Sequence, residues 1–245
     1  MPASWSSTWS IVSSDGLHRH PALPLPVAIR RIATARVMRL RLDHGGTMLK
    51  LTIPRRVSER SALAWAAEQQ GWVSAQLAKR PEGLPLRPGA RIPFDGGELE
   101  LVHAEGRPRA IRLVGTELHC GGPLEGLERR VLLWLRNMAR DRLSAEVAAI
   151  AREAGVTVAS VAVGDPVSRW GSCSAAGALR FSWRLILASP GARRFVVAHE
   201  VAHRLHMDHG PQFRAAERRL FGGDVAAARA ELRLVAPRLR AVGRL

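Results

Sequence analysis

"VVAHEVAHRLHMDHGPQF", residues 196–213, holds four of the nine histidines of a 245-residue chain, with Glu200, Asp208 and Gln212 among them. Residues 199–203 form the pattern H-E-x-x-H. On a helix, histidines at i and i+4 share one face about 6 Å apart along the axis. Their imidazoles can then converge on one zinc ion at roughly 2.0–2.1 Å. Glu200, beside the first of them, is placed to act as general base toward a water. "RRFVVA" leads into the pattern as a helical run, so the segment reads as a buried helix. Two imidazoles and a carboxylate are costly there unless paired or metallated.

Helix arithmetic separates the remaining histidines. His206 returns to the face of His199, but about 10.5 Å along the axis, too far for three side chains to meet one tetrahedral ion. His209 would face away if the helix continued. Asp208-His209-Gly210-Pro211 is a turn signal, and Pro211 disfavours helix at Gly210. A break between His206 and Gly210 would let His209 fold back. The expected ligands are therefore His199, His203 and His209, with Glu217 in reserve. His206 is placed outside the ligand set, facing substrate or solvent. The metzincin pattern has the same histidine spacing, but it needs Gly where this chain has His206 and a later Met-turn. Met207 is the last methionine.

Working outward, the pattern predicts an α+β chain. Residues 1–26, rich in Ser, Pro and His, read as a disordered leader. Residues 27–122 read as a mainly antiparallel β module carrying one helix. "VAIRRIATARVMRLRLD" and "GTMLKLTIP" alternate with period two around an "HGG" turn at 44–46. "SERSALAWAAEQQGWVSAQLAKR" reads as a helix capped by Ser58, with Trp65 and Trp72 at core spacing. "ELELVHAE", "RAIRLVG" and "ELHCGG" read as a meander. Residues 123–245 read as a helical domain with a small sheet. It has a long helix ending at Gly155, a strand in "VTVASVAVG", strands on both sides of "AAG" at 175–177 (the second running through "WRLILA"), and three helices opened by Pro190, Pro211 and Asp224.

Bulk properties narrow the function classes. No run of about 18 apolar residues exists, so no transmembrane helix is expected. The N-terminus lacks the pattern of a secretory signal. Two cysteines, Cys120 and Cys173, do not make a disulfide framework, which favours a cytoplasmic protein with reduced thiols. The net charge of +16 attracts phosphate polymers and acidic surfaces, so nucleic acid is a possible partner. The chain has no Tyr to stabilise an oxyanion. Arg169, Arg180, Arg184 and His206 are the candidates for that role.

"SRWGSCSAAGALRFSWRLILASPGARRFVVAHEVAHRLHMDHGPQF" resembles the YgjP-like zinc metallopeptidases, which are related to SprT-like and WLM proteases. The "RWGSC" turn, the "WRLILA" segment, the HExxH helix and the "MDHGPQF" tail share their order and spacing, and "KLTIPRRVS" extends the likeness toward the N-terminus. Gly210 and Arg214 depart from the family's usual Ser and aromatic residue. The resemblance implies a gluzincin-type zincin fold, zinc held by His199, His203 and His209, Glu200 as the catalytic residue, and a protein or peptide substrate. The SprT likeness together with the charge raises an alternative, a protease acting on DNA-bound proteins. A basic binding module braced by structural zinc is the non-catalytic alternative.

Overall fold

The computed structural model describes residues 16–43, 46–78, 83–166 and 168–244. The chain forms two compact units, residues 1–80 and 81–245.

The first unit is a sheet with one face covered by two helices. Strands β1 (Val27–Ile32), β2 (Arg39–Leu42) and β3 (Leu49–Pro54) are ordered β1-β3-β2. β2 and β3 pair antiparallel, and β1 pairs with β3 in parallel. His44 and Gly45 of the expected "HGG" turn lie outside the described residues, as do residues 1–15 of the expected leader. From Gly16 onward the chain is tied down: His18 bridges to Val27, and Leu23 is buried. The expected single helix is two, α1 (Glu59–Glu68) and α2 (Gln70–Ala78), parted at Gln69 just ahead of Gly71. Ser58 caps α1, accepting from the Ser61 amide at 3.1 Å. The break also turns Trp72 outward, 40% exposed, against the core role its spacing suggested.

In the second unit, β4 (Arg91–Phe94), β5 (Gly97–Ala104), β6 (Ile111–Val114) and β7 (Glu117–Gly121) form a sheet ordered β4-β5-β7-β6. This is not the expected meander. β6 and β7 make a local hairpin, but β7 inserts beside β5 in parallel, so the 105–110 connection crosses the end of β7. There Gly121 lies against Pro108, where an added Cβ would fall 2.0 Å from the carbonyl oxygen. The long helix α3 (Leu127–Ala154) buries a stripe from Leu127 and Val131 through Ile150 and ends at left-handed Gly155. Its stripe shares one core with this sheet, which is why the second unit begins near residue 81, well before the change of composition at Gly122.

A smaller sheet, β8 (Ser160–Gly164), β9 (Gly171–Cys173) and β10 (Ala178–Ser182), is ordered β8-β10-β9. The expected strand through "WRLILA" is instead a 3₁₀ segment, Trp183–Leu187, all five residues buried. A short run, apolar here except for Arg184, carries no period that separates strand from helix. Here Ser182 ends the strand by accepting from the Arg184 amide. Helices α4 (Pro190–Ala202), α5 (Pro211–Phe221) and α6 (Val225–Ala241) complete the unit. Asp224 caps α6 by accepting from the amides of Ala226 and Ala227 at 2.8 and 3.0 Å.

Arg193, in the first turn of α4, is 2% exposed and donates to Glu146 of α3 at 2.7 Å and to Asp95 of the β4–β5 turn at 2.6 Å. One guanidinium thus ties α4 to both walls of its core. Removing one partner of a buried ion pair strands the others' charge. Arg193→Met should lower unfolding free energy by on the order of 3 kcal/mol, read from urea midpoints. A loss below about 0.5 kcal/mol, the size of a surface substitution, would show the pairing to be incidental.

Candidate metal centre

Ser189 caps α4, accepting from the Ala192 amide at 3.1 Å, and Pro190 opens its first turn. Nine of the helix's thirteen residues are buried, among them Phe195, Val197, Val201 and Ala202. The helix ends at His203, ahead of the expected break between His206 and Gly210. The amides of both Leu205 and His206 bond to the Ala202 carbonyl, and the Arg204 guanidinium leaves the helix for the carbonyls of Thr157 and Ala175. His203 keeps right-handed helical φ and ψ, so its i+4 relation to His199 survives. The chain then turns, and Gly210, in extended conformation, starts α5 with Pro211 in its first turn.

This route brings His209 back to the helix. His199, His203 and His209 each present a ring nitrogen, and these atoms lie within 4.8 Å of one another. The Nε2 atoms of His199 and His209 are 3.3 Å apart. That is the edge of a tetrahedron about an ion roughly 2.0–2.1 Å from each nitrogen, so the donor set fits zinc. Phe213 of α5 packs against all three rings at centroid distances of 4.5–5.0 Å. His206 stays outside the cluster; its carbonyl lies 3.3 Å from His203 Nδ1.

Burial pushes the imidazoles of His199 and His203 below the usual histidine range, which favours the neutral form that ligates metals. Glu217, the reserve ligand of the sequence reading, serves differently. It is 3% exposed and accepts from His199 Nδ1 at 2.7 Å, which leaves Nε2 to face the cluster. A carboxylate holding the far nitrogen of a ligating histidine fixes both its tautomer and its orientation.

Glu200 and His199 share a cavity of about 290 Å³ that is also lined by Arg169, Trp170, Gly171, Phe195 and Leu232. Glu200 is 6% exposed. Gly171 opens β9 directly over it: a Cβ there would sit 2.5 Å from Glu200 Oε1. Burial raises the Glu200 carboxyl to about 7, and the charge of Arg169 only partly opposes this. Cys173, two residues along β9, is an unpaired thiol held up by burial and by Glu200, against the opposing charge of Arg204.

Arg184 is not brought to the cavity. Its guanidinium is 5% exposed, grips Asp165 with two hydrogen bonds of 2.8 and 3.1 Å, and donates to the carbonyls of Leu239 and Val242 at the end of α6. Arg180 lies across Gly164 on the smaller sheet. Arg169 does line the cavity, and Arg229 of α6, which no spacing pointed to, joins it there. Arg229 lies 3.4 Å from Glu217 Oε1 and over the Phe195 ring. Glu217 left a readable trace, a lone acid on the buried face of α5 with Phe213, Ala216 and Leu220.

Without metal, folding raises the Glu200 pKa from 4.5 to about 7. The folded chain then holds this proton more tightly than the unfolded chain. The stability it supplies is full below about pH 4.5 and is lost as pH rises through about 7, to a total of about 3 kcal/mol. In metal-stripped protein, Glu200→Gln should be more stable than wild type by about that amount near pH 8 and equal to it near pH 4. Parallel urea curves at both pH values check this; an equal difference at the two would contradict it.

The family model "YgjP-like, metallopeptidase domain" matches residues 36–233. No curated protein and no solved structure matches the chain.

Proposed function

The chain belongs to the YgjP-like metallopeptidase family, and on that premise we propose that it is a zinc-dependent peptidase, with His199, His203 and His209 as ligands and Glu200 as general base. The observation that carries this reading is the convergence of three imidazole nitrogens one residue from a buried carboxylate. Zinc, when bound, supplies a water of lowered pKa and a Lewis acid for the amide carbonyl. Three donors rather than four suit a catalytic site, since structural zinc sites are closed by four protein ligands.

The chain's own groups do the rest. Glu200 takes a proton from the attacking water and hands it to the leaving amine. Its buried carboxylate is a stronger base than an exposed one, which suits proton transfer near neutral pH. Glu217 holds the His199 ring in place. Arg169, exposed at the mouth of the cavity, offers positive charge to a developing oxyanion. β9 is an edge strand whose first residue, Gly171, lies against Glu200. An extended peptide adding to that edge would pass its backbone beside the base. The substrate is a protein or peptide. Two unpaired thiols, Cys120 and Cys173, fit a cytoplasmic setting. No helix among the described residues is long and apolar enough to cross a membrane.

Glu200→Gln should keep zinc and lose peptide hydrolysis by roughly 10²–10⁴-fold, whereas His203→Ala should lose both. Zinc content by atomic emission and cleavage of an unfolded protein substrate measure the pair. Full zinc in His203→Ala, or hydrolysis in Glu200→Gln at the wild-type rate, contradicts the assignment. Glu217→Ala should weaken zinc binding about 10–100-fold through the His199 ring it no longer holds; competition with a chelator measures it.

A further inference from the structure

The sheet of the first unit has one apolar face and one cationic face. Its register pairs Lys50 of β3 with Ala28 and Arg41, and Thr52 with Arg30 and Arg39. Alternation along each strand therefore puts Ala28, Arg30, Arg39, Arg41, Lys50 and Thr52 on one side. Val27, Leu49, Leu51 and Ile53 fill the other, fully buried beneath α1 and α2. Arg30, Arg39, Arg41 and Lys50 are all exposed. None pairs with an acid among the described residues. Arg31, one residue off this register, is occupied elsewhere, donating to the carbonyls of Arg55 and Val57.

Such a face is unfavourable when bare. Lys50 and Arg41 stand directly opposite each other, and like charges across a strand pair destabilise a sheet. The surrounding sequence does not offset them. Residues 1–80 hold 12 of the 37 Lys and Arg but 4 of the 21 Asp and Glu, a net +8 of the total +16 from a third of the chain. Lys50 and Arg41 sit about 5 Å apart across neighbouring strands, Arg39 and Arg41 about 7 Å apart along one, and Arg30 stands beyond Thr52 on the far strand. Three of the four are Arg, whose planar fork matches phosphate oxygens in a way an ammonium does not.

We propose that this face is a docking surface for the phosphate backbone of nucleic acid, bound without regard to base sequence. Between the cations stand only Ala28 and Thr52, so there is no aromatic ring on which a base could stack. The same lack of apolar anchors disfavours a lipid surface, where a basic element normally inserts hydrophobic side chains. The proposal stands apart from the peptidase reading, and its test involves no hydrolysis.

The full chain is titrated against a short fluorescein-labelled duplex of arbitrary sequence, and anisotropy is followed at several salt concentrations. Each phosphate contact contributes about 0.9 to the slope of log affinity against log salt. R39Q/R41Q/K50Q should therefore lower the slope by about 3 and weaken binding by on the order of 100-fold at about 150 mM salt. R39K/R41K, which keeps the charge and guards against misfolding as the cause, should stay within about threefold of wild type. A control, R129Q/R136Q/R140Q, removes the same charge from exposed positions on α3 and should leave the slope within about 1 unit. Equal weakening by the two triple variants would overturn the proposal, because binding would then follow net charge alone. So would loss of binding to phosphatidylserine vesicles in the first triple with no change on the duplex.

Discussion

Helix α4 carries Arg193, His199 and Glu200 into packing that is otherwise apolar, and the second unit is organised around accommodating those three groups. Arg193 is met by Glu146 and Asp95, and His199 by Glu217. Glu200 is treated differently. Gly171 closes over it with bare backbone, and the charge of Arg169 only partly offsets its burial. A buried carboxylate without a matched cation is unstable in its charged form. The same cost makes it basic near neutral pH. The fold therefore spends stability at one position of a helix whose other buried polar groups are satisfied.

That arrangement explains the role of the connections. α4 must stop soon after His203 for His209 to return, and α5 must start at once for Phe213 and Glu217 to reach the rings. Arg204 leaving toward Thr157 and Ala175 serves the first need, and Gly210-Pro211 serves the second. The small sheet contributes β9, an edge strand whose first residue lies beside Glu200. Arg184, far from being a catalytic cation, fastens the end of α6 to the loop holding Asp165. Its hydrogen bonds and charge there outweigh burial and pull the Asp165 carboxyl below the usual range.

Much of this was legible in the sequence wherever a local rule governs. Helix periodicity and the Gly-Pro signal place His199, His203 and His209 together, and caps such as Ser58, Asp224 and Gly155 fall where residue type demands. What was not legible depends on partners distant in sequence. The 3₁₀ segment at Trp183–Leu187 is apolar except for Arg184 and too short for its pattern to distinguish it from a strand. The parallel pairings β1·β3 and β5·β7 require chain crossings that no hairpin rule supplies. Glu217 as the orienting group for His199, and Arg229 beside it, come from helices that meet α4 only in the folded chain. The alternating Arg residues of β1 and β2 are plain to read, but their gathering on one face becomes visible only once the register with β3 is known.

The central claim is that three imidazoles from a helix, its terminus and the following turn hold one metal ion. The most direct measurement is an anomalous difference map at the zinc edge from crystals of the zinc-loaded protein. The account predicts a single strong peak roughly 2.0–2.1 Å from the Nε2 atoms of His199, His203 and His209, with no Glu217 oxygen at bonding distance. A peak bonded to Glu217 or His206 in place of His209, or one lying away from α4, would contradict it.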